Sequence, residues 1–440
     1  MTKSKIALIV STSILAVGVI VMTTLFILSS VSQNRYKKEL SSMYMKNMYD
    51  FVDGVGDLEV NLSKLMATSS LETQRELLND IYVDTTSLGT HISNLPISQI
   101  KTENVMELIN RLGGFSYSLL TNTYDDKEIS SEDYKQLETL YSSTRSLLYD
   151  INEYLKTTRN RYDILKYVDF KDGENSSFNA GVHTNESSVS KLPSLIYDGP
   201  FSDSVLNKEI KGLKDIDYTK EDADKMLKDI YKDSSIIYTG DSDGLFATYN
   251  YTIDNGNKLY VSVTKKGGML LNITGYAAKG NVNYSVDDGI MIAENFANIV
   301  GFDNMYSVWT LNSDSVLYVN LAPILNQVIY YPDLVKVKVD LVSGNVIGLD
   351  ATNYAYNHVD RPEYKTTTSI LQGDDYLNDR LKVVERNYAV IPNKYVGESM
   401  AYEYICKWEN YTYYIYLDVN TFKELQILRV VDTTSGGLIE

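Results

Sequence analysis

Hydrophobic positions along this chain follow three rhythms in succession. From Ile6 to Leu28 they are nearly continuous and carry no charge, enough to cross the ~30 Å hydrocarbon core of a bilayer as a helix. From Tyr44 onward, apolar or aromatic residues recur at spacings of four and three, at Met48, Phe51, Val55, Leu58, Leu62 and Leu65. That spacing predicts a helix with a seam of about three heptads. Gly54 and Gly56 weaken it, since glycine costs ~1 kcal/mol against alanine in a helix. Ser69 and Glu72 have capping-box spacing and open a second predicted helix, with Leu78, Ile81, Leu88, Ile92 and Leu95 on one face and Pro96 as its stop. A third helix carries Val105, Leu108, Leu112, Phe115 and Leu119. Ser130 and Asp133 start the longest, with Tyr134, Leu137, Tyr141, Leu148, Ile151, Leu155, Tyr162 and Leu165 in heptad register. Short connections favour antiparallel neighbours, so residues 31–168 read as an elongated antiparallel four-helix bundle. Its stripes are expected to form the bundle core. The sharper alternative leaves one seam, that of the fourth helix, open to a partner helix.

The helical rhythm stops at Asp169. Through Lys191 the chain is polar, with runs such as Asn175-Ser176-Ser177 and Asn185-Glu186-Ser187-Ser188, and has too few apolar residues to offset ordering entropy. An exposed tether over 169–191 is expected, and proteolysis should begin there.

Beyond the tether a helix followed by period-two strands recurs. Thr219 to Ala223 opens one helix, with Met226, Leu227 and Ile230 inward; Ser285 to Gly289 opens another, with Ile292, Ala293 and Phe296 inward. Both starts place Ser or Thr three residues before Asp, an N-cap with acidic charge at the positive end of the helix. In the strands, Leu259, Val261 and Val263 alternate with polar partners, as do Val335, Val337, Val339 and Leu341. Turns are expected at Gly267-Gly268 and Ser343-Gly344. A third copy keeps the strands: Tyr402, Tyr404, Cys406 and Trp408 on one face, then Tyr413 to Asp418 and Lys423 to Leu428, with Phe422 at the glycine position of the turn. Its helix falls between Ser369 and Leu381 and is poorly patterned. The stretch from Leu321 to Pro332 is an insertion that lengthens the second copy. This helix-plus-antiparallel-sheet unit resembles the PepSY domain.

Between tether and repeats lies Leu195-Ile196-Tyr197-Asp198-Gly199-Pro200-Phe201-Ser202-Asp203. Local chemistry makes it a short apolar strand halted by a turn: Asp198 can bond its own backbone, Gly199 permits positive φ, and Pro200 fixes φ and withholds a donor. The whole nonapeptide resembles the hallmark of the YpeB family of sporulation and germination proteins, in the same position relative to an anchor, a helical region and PepSY repeats. The hallmark residues are thus candidates for a turn or a partner contact.

Composition narrows the function. A net charge of −17 opposes binding to nucleic acid, whose phosphates need neutralising cations, and adsorption to anionic headgroups. The single cysteine, Cys406, excludes an intrachain disulfide, and its alternation with Tyr404 and Trp408 reads as a small packed hydrophobe. His91, His183 and His358 are far apart and read as surface or internally satisfied histidines. Asp241 to Gly244 lacks the spacing of a calcium loop and reads as a turn. There is no nucleophile elbow, phosphate loop or paired-histidine zinc helix. No catalytic residue, cofactor or metal is expected. The 37 tyrosines suit half-exposed sheet surfaces.

The expected fold is therefore α+β: a transmembrane anchor over 1–30, the bundle over 31–168, the tether, and tandem PepSY-like units over 192–280 (with the hallmark), 281–358 and, divergent, 359–440. The anchor's length argues for retention, although Ser30-Val31-Ser32 would suit a cleavage site. Flanking charges decide orientation poorly; the family resemblance implies that the C-terminal portion lies outside the membrane. It also implies a non-enzymatic accessory protein of the spore inner membrane that stabilises, localises and restrains a cortex-lytic peptidoglycan hydrolase of the SleB type. The alternatives are an extracytoplasmic ligand sensor acting through a separate membrane partner, and an enzyme using carboxylates on cortex peptidoglycan.

Overall fold

The computed structural model describes residues 3–95, 99–124, 129–157, 209–232, 234–254, 258–313, 315–361, 368–392, 397–433 and 436–439. The tether over 169–191, the hallmark from Leu195 to Asp203, Pro96, His183, Tyr162 and Leu165 lie outside the described residues. The chain divides into two compact units. The first holds the chain up to Ser63 and the helices from Arg75; the second holds Lys64–Gln74 and the repeats.

Anchor and first bundle helix are one element, α1 (Lys3–Ala67), 65 residues long. This corrects the expectation that the fourth helix is the longest: no proline or cap signal separates the apolar stretch from the heptad seam. The seam behaves as patterned, with Met48, Phe51, Val55, Leu58, Leu62 and Leu65 all buried. Gly54 has a packing role, since a Cβ there would stand 2.9 Å from Leu88 Cδ2. Leu88 lies on α2 (Leu71–Ser93). Asn61 donates to Asp84 at 3.3 Å and Asn47 meets His91 Nδ1 at 3.3 Å, so α1 and α2 run antiparallel. The cap of α2 is Ser70, whose hydroxyl accepts from Thr73 N at 3.2 Å; the predicted Ser69–Glu72 box is one residue out.

α3 (Gln99–Tyr124) returns along α2, with Arg75 Nε donating to Thr123 O at 3.1 Å at one end and the Tyr82 and Tyr117 rings 5.3 Å apart, tilted by 41°. Its buried face includes Val105, Ile109, Leu112, Ser116 and Leu119, so Leu108 and Phe115 sit at the margin. α4 (Ser131–Thr157) starts at the predicted cap: Ser130 Oγ accepts from Asp133 N at 3.2 Å, and it buries Leu137, Tyr141 and Ile151.

Each repeat in the second unit opens on a capping box. In the first, Thr219 and Asp222 cap α5 (Lys220–Ile230), followed by β1 (Ser235–Asp243), β2 (Ala247–Asp254), β3 (Lys258–Thr264) and β4 (Leu270–Thr274). In the second, Ser285 and Asp288 cap α6 (Val286–Ile299). There follow β5 (Met305–Ser313), β6 (Val316–Leu325), β7 (Val328–Tyr330), β8 (Val335–Asp340), β9 (Asn345–Asp350) and α7 (Thr352–Asn357). In the third, Ser369 and Gln372 cap a 3-10 helix, Ile370–Tyr376, where an α-helix was expected. Its strands are β10 (Lys382–Pro392), β11 (Glu398–Trp408), β12 (Tyr411–Asp418), β13 (Glu424–Thr433) and β14 (Gly436–Ile439).

The two predicted glycine turns share one device. Gly268 and Gly344 have φ of +60° and +73°, and a Cβ on either would strike a tyrosine ring, Tyr218 or Tyr284, at 2.5–2.6 Å. Each tyrosine directly precedes its repeat's N-cap, so the turn's bare glycine seats the residue that starts the helix. In the third copy Phe422 takes the turn position, with φ +55°, and its own ring stacks on Tyr376 at 4.8 Å.

The repeats do not keep separate sheets. Fourteen strands form one sheet in the order β1-β2-β3-β4-β9-β8-β6-β5-β14-β13-β12-β11-β10-β7. β7 also pairs with β6, so the last eight strands close into a ring. The insertion makes this closure: Asn326 and Gln327, at φ +52° and +66°, fold β7 back on β6, and β7 then pairs in parallel with β10. Eight strands enclose a space that side chains fill. Trp309, Ala322, Ile329, Tyr331, Ala389, Ile391, Ala401, Tyr416 and Leu428, drawn from around the ring, form that core. Tyr402, Tyr404 and Cys406 point outward and pack beneath the 3-10 helix. The first two repeats share another core, in which Ala223, Leu227, Ala293 and Ala297 of α5 and α6 meet Val261, Val319 and Val337.

Candidate functional site

Closing the ring gives β7 a neighbour on both sides. Among the described residues, β1 is the strand with a sheet neighbour on one side only. Such edges invite pairing with another chain, and proteins blunt them with bulges and charge. β1 has both devices: its register with β2 breaks between Tyr238 and Gly240, and Asp241 and Asp243 follow. Those two carboxylates are engaged by Lys265, at 2.9 and 3.2 Å, and Asp241 also accepts from Tyr238. The segment expected as a turn thus lies mostly in β1, with its charge balanced by lysine. Ile237 on this edge and Leu245 in the turn that follows it are 57% and 75% exposed.

A charged cluster joins the second and third repeats. Asp333, 1% exposed, follows Pro332 at the end of the insertion. Arg361 grips it with two parallel hydrogen bonds, Nη1 to Oδ2 at 2.7 Å and Nη2 to Oδ1 at 2.8 Å. The same guanidinium donates to Glu398 at the start of β11, at 2.8 and 2.6 Å. His358 Nδ1 meets Asp333 Oδ2 at 2.7 Å while its ring stacks on Tyr354 at 4.2 Å. Bidentate charge-assisted bonds of this kind fix geometry as well as adding energy, so the cluster sets how the third repeat's strands enter the ring.

Inside the ring lies a second carboxylate, Glu403, 1% exposed. Tyr331 donates to its Oε2 at 2.6 Å and Asn387 Nδ2 to its Oε1 at 3.0 Å. Burial raises its pKa above the usual carboxylate range, and these donors oppose the rise. A third, Glu424, holds the segment Lys64–Gln74: Thr68 Oγ1 donates to it at 2.6 Å. Asn378 Nδ2 donates to Thr68 O at 3.2 Å, Ser69 Oγ to Tyr376 O at 2.5 Å, and Lys423 pairs with Glu72. Burial pushes the Glu424 carboxyl up as well, against hydrogen bonds from Thr68 and Thr73. None of these acids was singled out from the sequence. The one available signal was the insertion itself, an apolar run ended by Pro332-Asp333.

The histidine and cysteine readings hold where they can be checked. His91 bonds Ser87 and Asn47, both at 3.3 Å, and His358 is held as above. Cys406 is fully buried, and burial pushes its thiol up to about 12, an inert state.

In the helical unit Asp84 is pushed up to about 6, first by burial, then by Asp57 and Asp80, against the hydrogen bond from Asn61. A carboxyl whose pKa is raised in the folded state stabilises it fully below the unfolded pKa of 3.8, and that contribution is lost as pH rises toward 6. Asp84→Asn should therefore raise the thermal midpoint of the helices at pH 6.5 and leave it nearly unchanged at pH 4. Parallel shifts at both pH values would refute this assignment.

Comparison with known proteins supplies the lineage. A model described as "YpeB N-terminal" matches residues 32–163, and one described as "YpeB sporulation, PepSY1 and PepSY2 domains" matches 178–363. Between them they span well over half of the chain. The chain belongs to the YpeB family. It is 24% identical to the Sporulation protein YpeB of Halalkalibacterium halodurans over 401 residues, covering 87% of this chain and 89% of that protein. Against the Bacillus subtilis protein of the same name the identity is 22%, with the same coverage. A solved structure, the Bacillus megaterium YpeB C-terminal domain, is 25% identical and covers 49% of this chain and 99% of that one at a TM-score of 0.44. The family is one of sporulation proteins and is not named for an enzymatic activity. Its PepSY domains correspond here to the first two helix-plus-sheet repeats, and α1 carries a stretch long and apolar enough to span a membrane.

Proposed function

We propose that this chain is a non-catalytic accessory protein of spore germination that binds a cortex-lytic hydrolase of the SleB type and holds it at the spore inner membrane. On this reading α1 is the anchor, the C-terminal repeats face the cortex, and the repeats carry the hydrolase. The observation that supports it is that β1, among the described residues, has a sheet neighbour on one side only: it offers a partner strand addition, where backbone bonds give affinity and the exposed Ile237, with Leu245 in the adjoining turn, gives specificity.

A partner that binds only the folded hydrolase lowers the unfolded population on which proteases act. Deleting this gene should therefore remove the hydrolase from dormant spores while its transcript persists. Complementation with Ile237→Lys and Leu245→Lys together should restore this protein but leave the hydrolase depleted, as exposed charge replaces the apolar contact. Normal hydrolase abundance in the deletion strain would overturn the accessory role. Full restoration by the double variant would move the contact away from β1.

A further inference from the structure

The side of α1 that α2 covers does not end where α2 does. Asn47, Gly54 and Asn61, evenly spaced by one heptad, meet His91, Leu88 and Asp84 of α2. The same heptad position continues toward the N-terminus as Leu40, Gln33 and Phe26, and the position beside it as Met43, Tyr36 and Ser29. α2 stops at Ser93, just past His91, and every residue of α1 from 31 to 40 is exposed. Met43, Leu40 and Tyr36 are 50%, 40% and 68% exposed.

These apolar groups do not extend the bundle core. The buried line of Phe51, Met48 and Ser41 continues toward the N-terminus as Lys37, Asn34 and Ser30, all polar. The apolar side of the helix therefore shifts at the base of the bundle to a face on which, among the described residues, nothing packs. A helical stretch in water is held by the packing of such a face more than by propensity. What can cover it is limited by where it sits. With α1 as the anchor, the bilayer holds every copy of α1 parallel and at one depth, so this face of one copy meets the same face of another already in register. Lys37 and Glu39 flank the face on opposite sides, where parallel coiled coils pair charges between helices. A two-fold pair sets the Lys37 of one copy beside the Glu39 of the other, whose Oε1 also accepts from Arg35 at 3.0 Å. Within the apolar span, Met22 and Phe26 on this side are 70% and 73% exposed. Gly18 has open space at its Cβ, which lets two backbones approach.

We propose that α1 pairs with α1 of a second copy over residues 26–43, in a parallel two-fold coiled coil, so that the protein is a dimer in the membrane. The seam is Phe26, Ser29, Gln33, Tyr36, Leu40 and Met43. The proposal rests on the reading of α1 as the anchor and is independent of the β1 edge.

The test uses the full chain in lipid vesicles. Its one cysteine, Cys406, is fully buried, so a single cysteine introduced in α1 reports alone. Under mild oxidation Tyr36→Cys and Leu40→Cys should cross-link to doubled mass about tenfold faster than Lys38→Cys, half a turn away, because a disulfide needs Cα atoms within about 7 Å. In density-matched detergent micelles, sedimentation should give two chains for the unaltered protein and one for the double variant Leu40→Lys, Met43→Lys. Both of those positions are exposed, so the variant should keep its helical unfolding midpoint. Flotation with the vesicles checks the anchor separately. A chain that floats yet is monomeric in micelles, or cross-links equally at all three positions, overturns the pairing and leaves the anchor standing. A chain that does not float overturns both. A double variant that still sediments as two chains would also overturn the proposal, by placing the contact elsewhere.

Discussion

Asp333→Ala should destabilise the second unit by about 3–5 kcal/mol, the cost of stranding one partner of a buried ion pair. Both partners are out of water: the side chains of Asp333 and Arg361 are 1% and 7% exposed. Removing the carboxylate leaves the guanidinium with Glu398, whose side chain is 22% exposed, and deprives His358 of its acceptor. The loss is larger than that of an exposed ion pair, worth ~0–1 kcal/mol, because Arg361 cannot shed its charge. Burial would lower its pKa, but bonds to Glu398 and Asp333 carry it above the usual value for arginine. The double variant Asp333→Leu, Arg361→Met should recover much of the loss, since a buried pair replaced by apolar groups is often neutral. Denaturant midpoints for Asp333→Leu alone, Arg361→Met alone and the double close the cycle. A loss below about 1 kcal/mol in Asp333→Ala would mean that the cluster is hydrated in solution and does not hold the repeats together.

Trp309→Ala should cost a similar ~3–5 kcal/mol, by a different route. Trp309 fills the ring, stacked on Tyr331 at 4.8 Å and 9°, with Tyr414 edge-on at 6.5 Å. Tyr331 in turn meets Tyr416 edge-on at 6.0 Å and donates to Glu403. Deleting the indole leaves a hole that strands tied on both sides cannot collapse to fill. It also frees Tyr331 to move, which loosens the hydrogen bond on a buried carboxylate. Trp309→Phe should retain most of the stability. The chain has two tryptophans, so Trp408 remains in either variant as a fluorescent reporter of the third repeat. If its transition is unmoved in Trp309→Ala, the third repeat does not depend on the ring core.

Local elements were legible wherever one face of one element decided the outcome. The seam from Met48 to Leu65 is buried as its spacing requires. The boxes at Thr219 and Ser285 are formed in full, and Phe422, read as standing at the glycine position of its turn, has the positive φ that position takes in the other two copies. Cap position was less certain: Ser69 and Ser70 offer the same hydroxyl chemistry, and Ser69 is drawn instead to Tyr376 O. The third repeat's helix was faint because its segment is short, and it forms a 3-10 turn held by its cap. The candidate site was the least legible part. The hallmark lies outside the described residues, and the acids that matter in the structure, Asp333, Glu398, Glu403 and Glu424, resemble any others in an acidic chain.

The sequence by itself determined the order of parts: an apolar span, heptad helices, a polar stretch, and helix-plus-sheet repeats. Those patterns depend on periods of 3.5 and 2 that a single element satisfies alone. Tertiary structure decided what the repeats do with their edges and second faces. In β11 the alternation of Tyr402, Tyr404 and Cys406 predicted one buried face, yet Ala401 and Glu403 on the other face are buried too. Which strand closes against which depends on partners far apart in the chain, such as Tyr330 with Val390 and Gly436 with Leu311. Strand pairing is made by backbone groups common to every residue, so side-chain pattern cannot choose the partner. Such pairings, β4 with β9 and β5 with β14, join three small sheets into one, the insertion's tight turn at Asn326-Gln327 closes the ring through β7, and among the described residues β1 is left as the open edge.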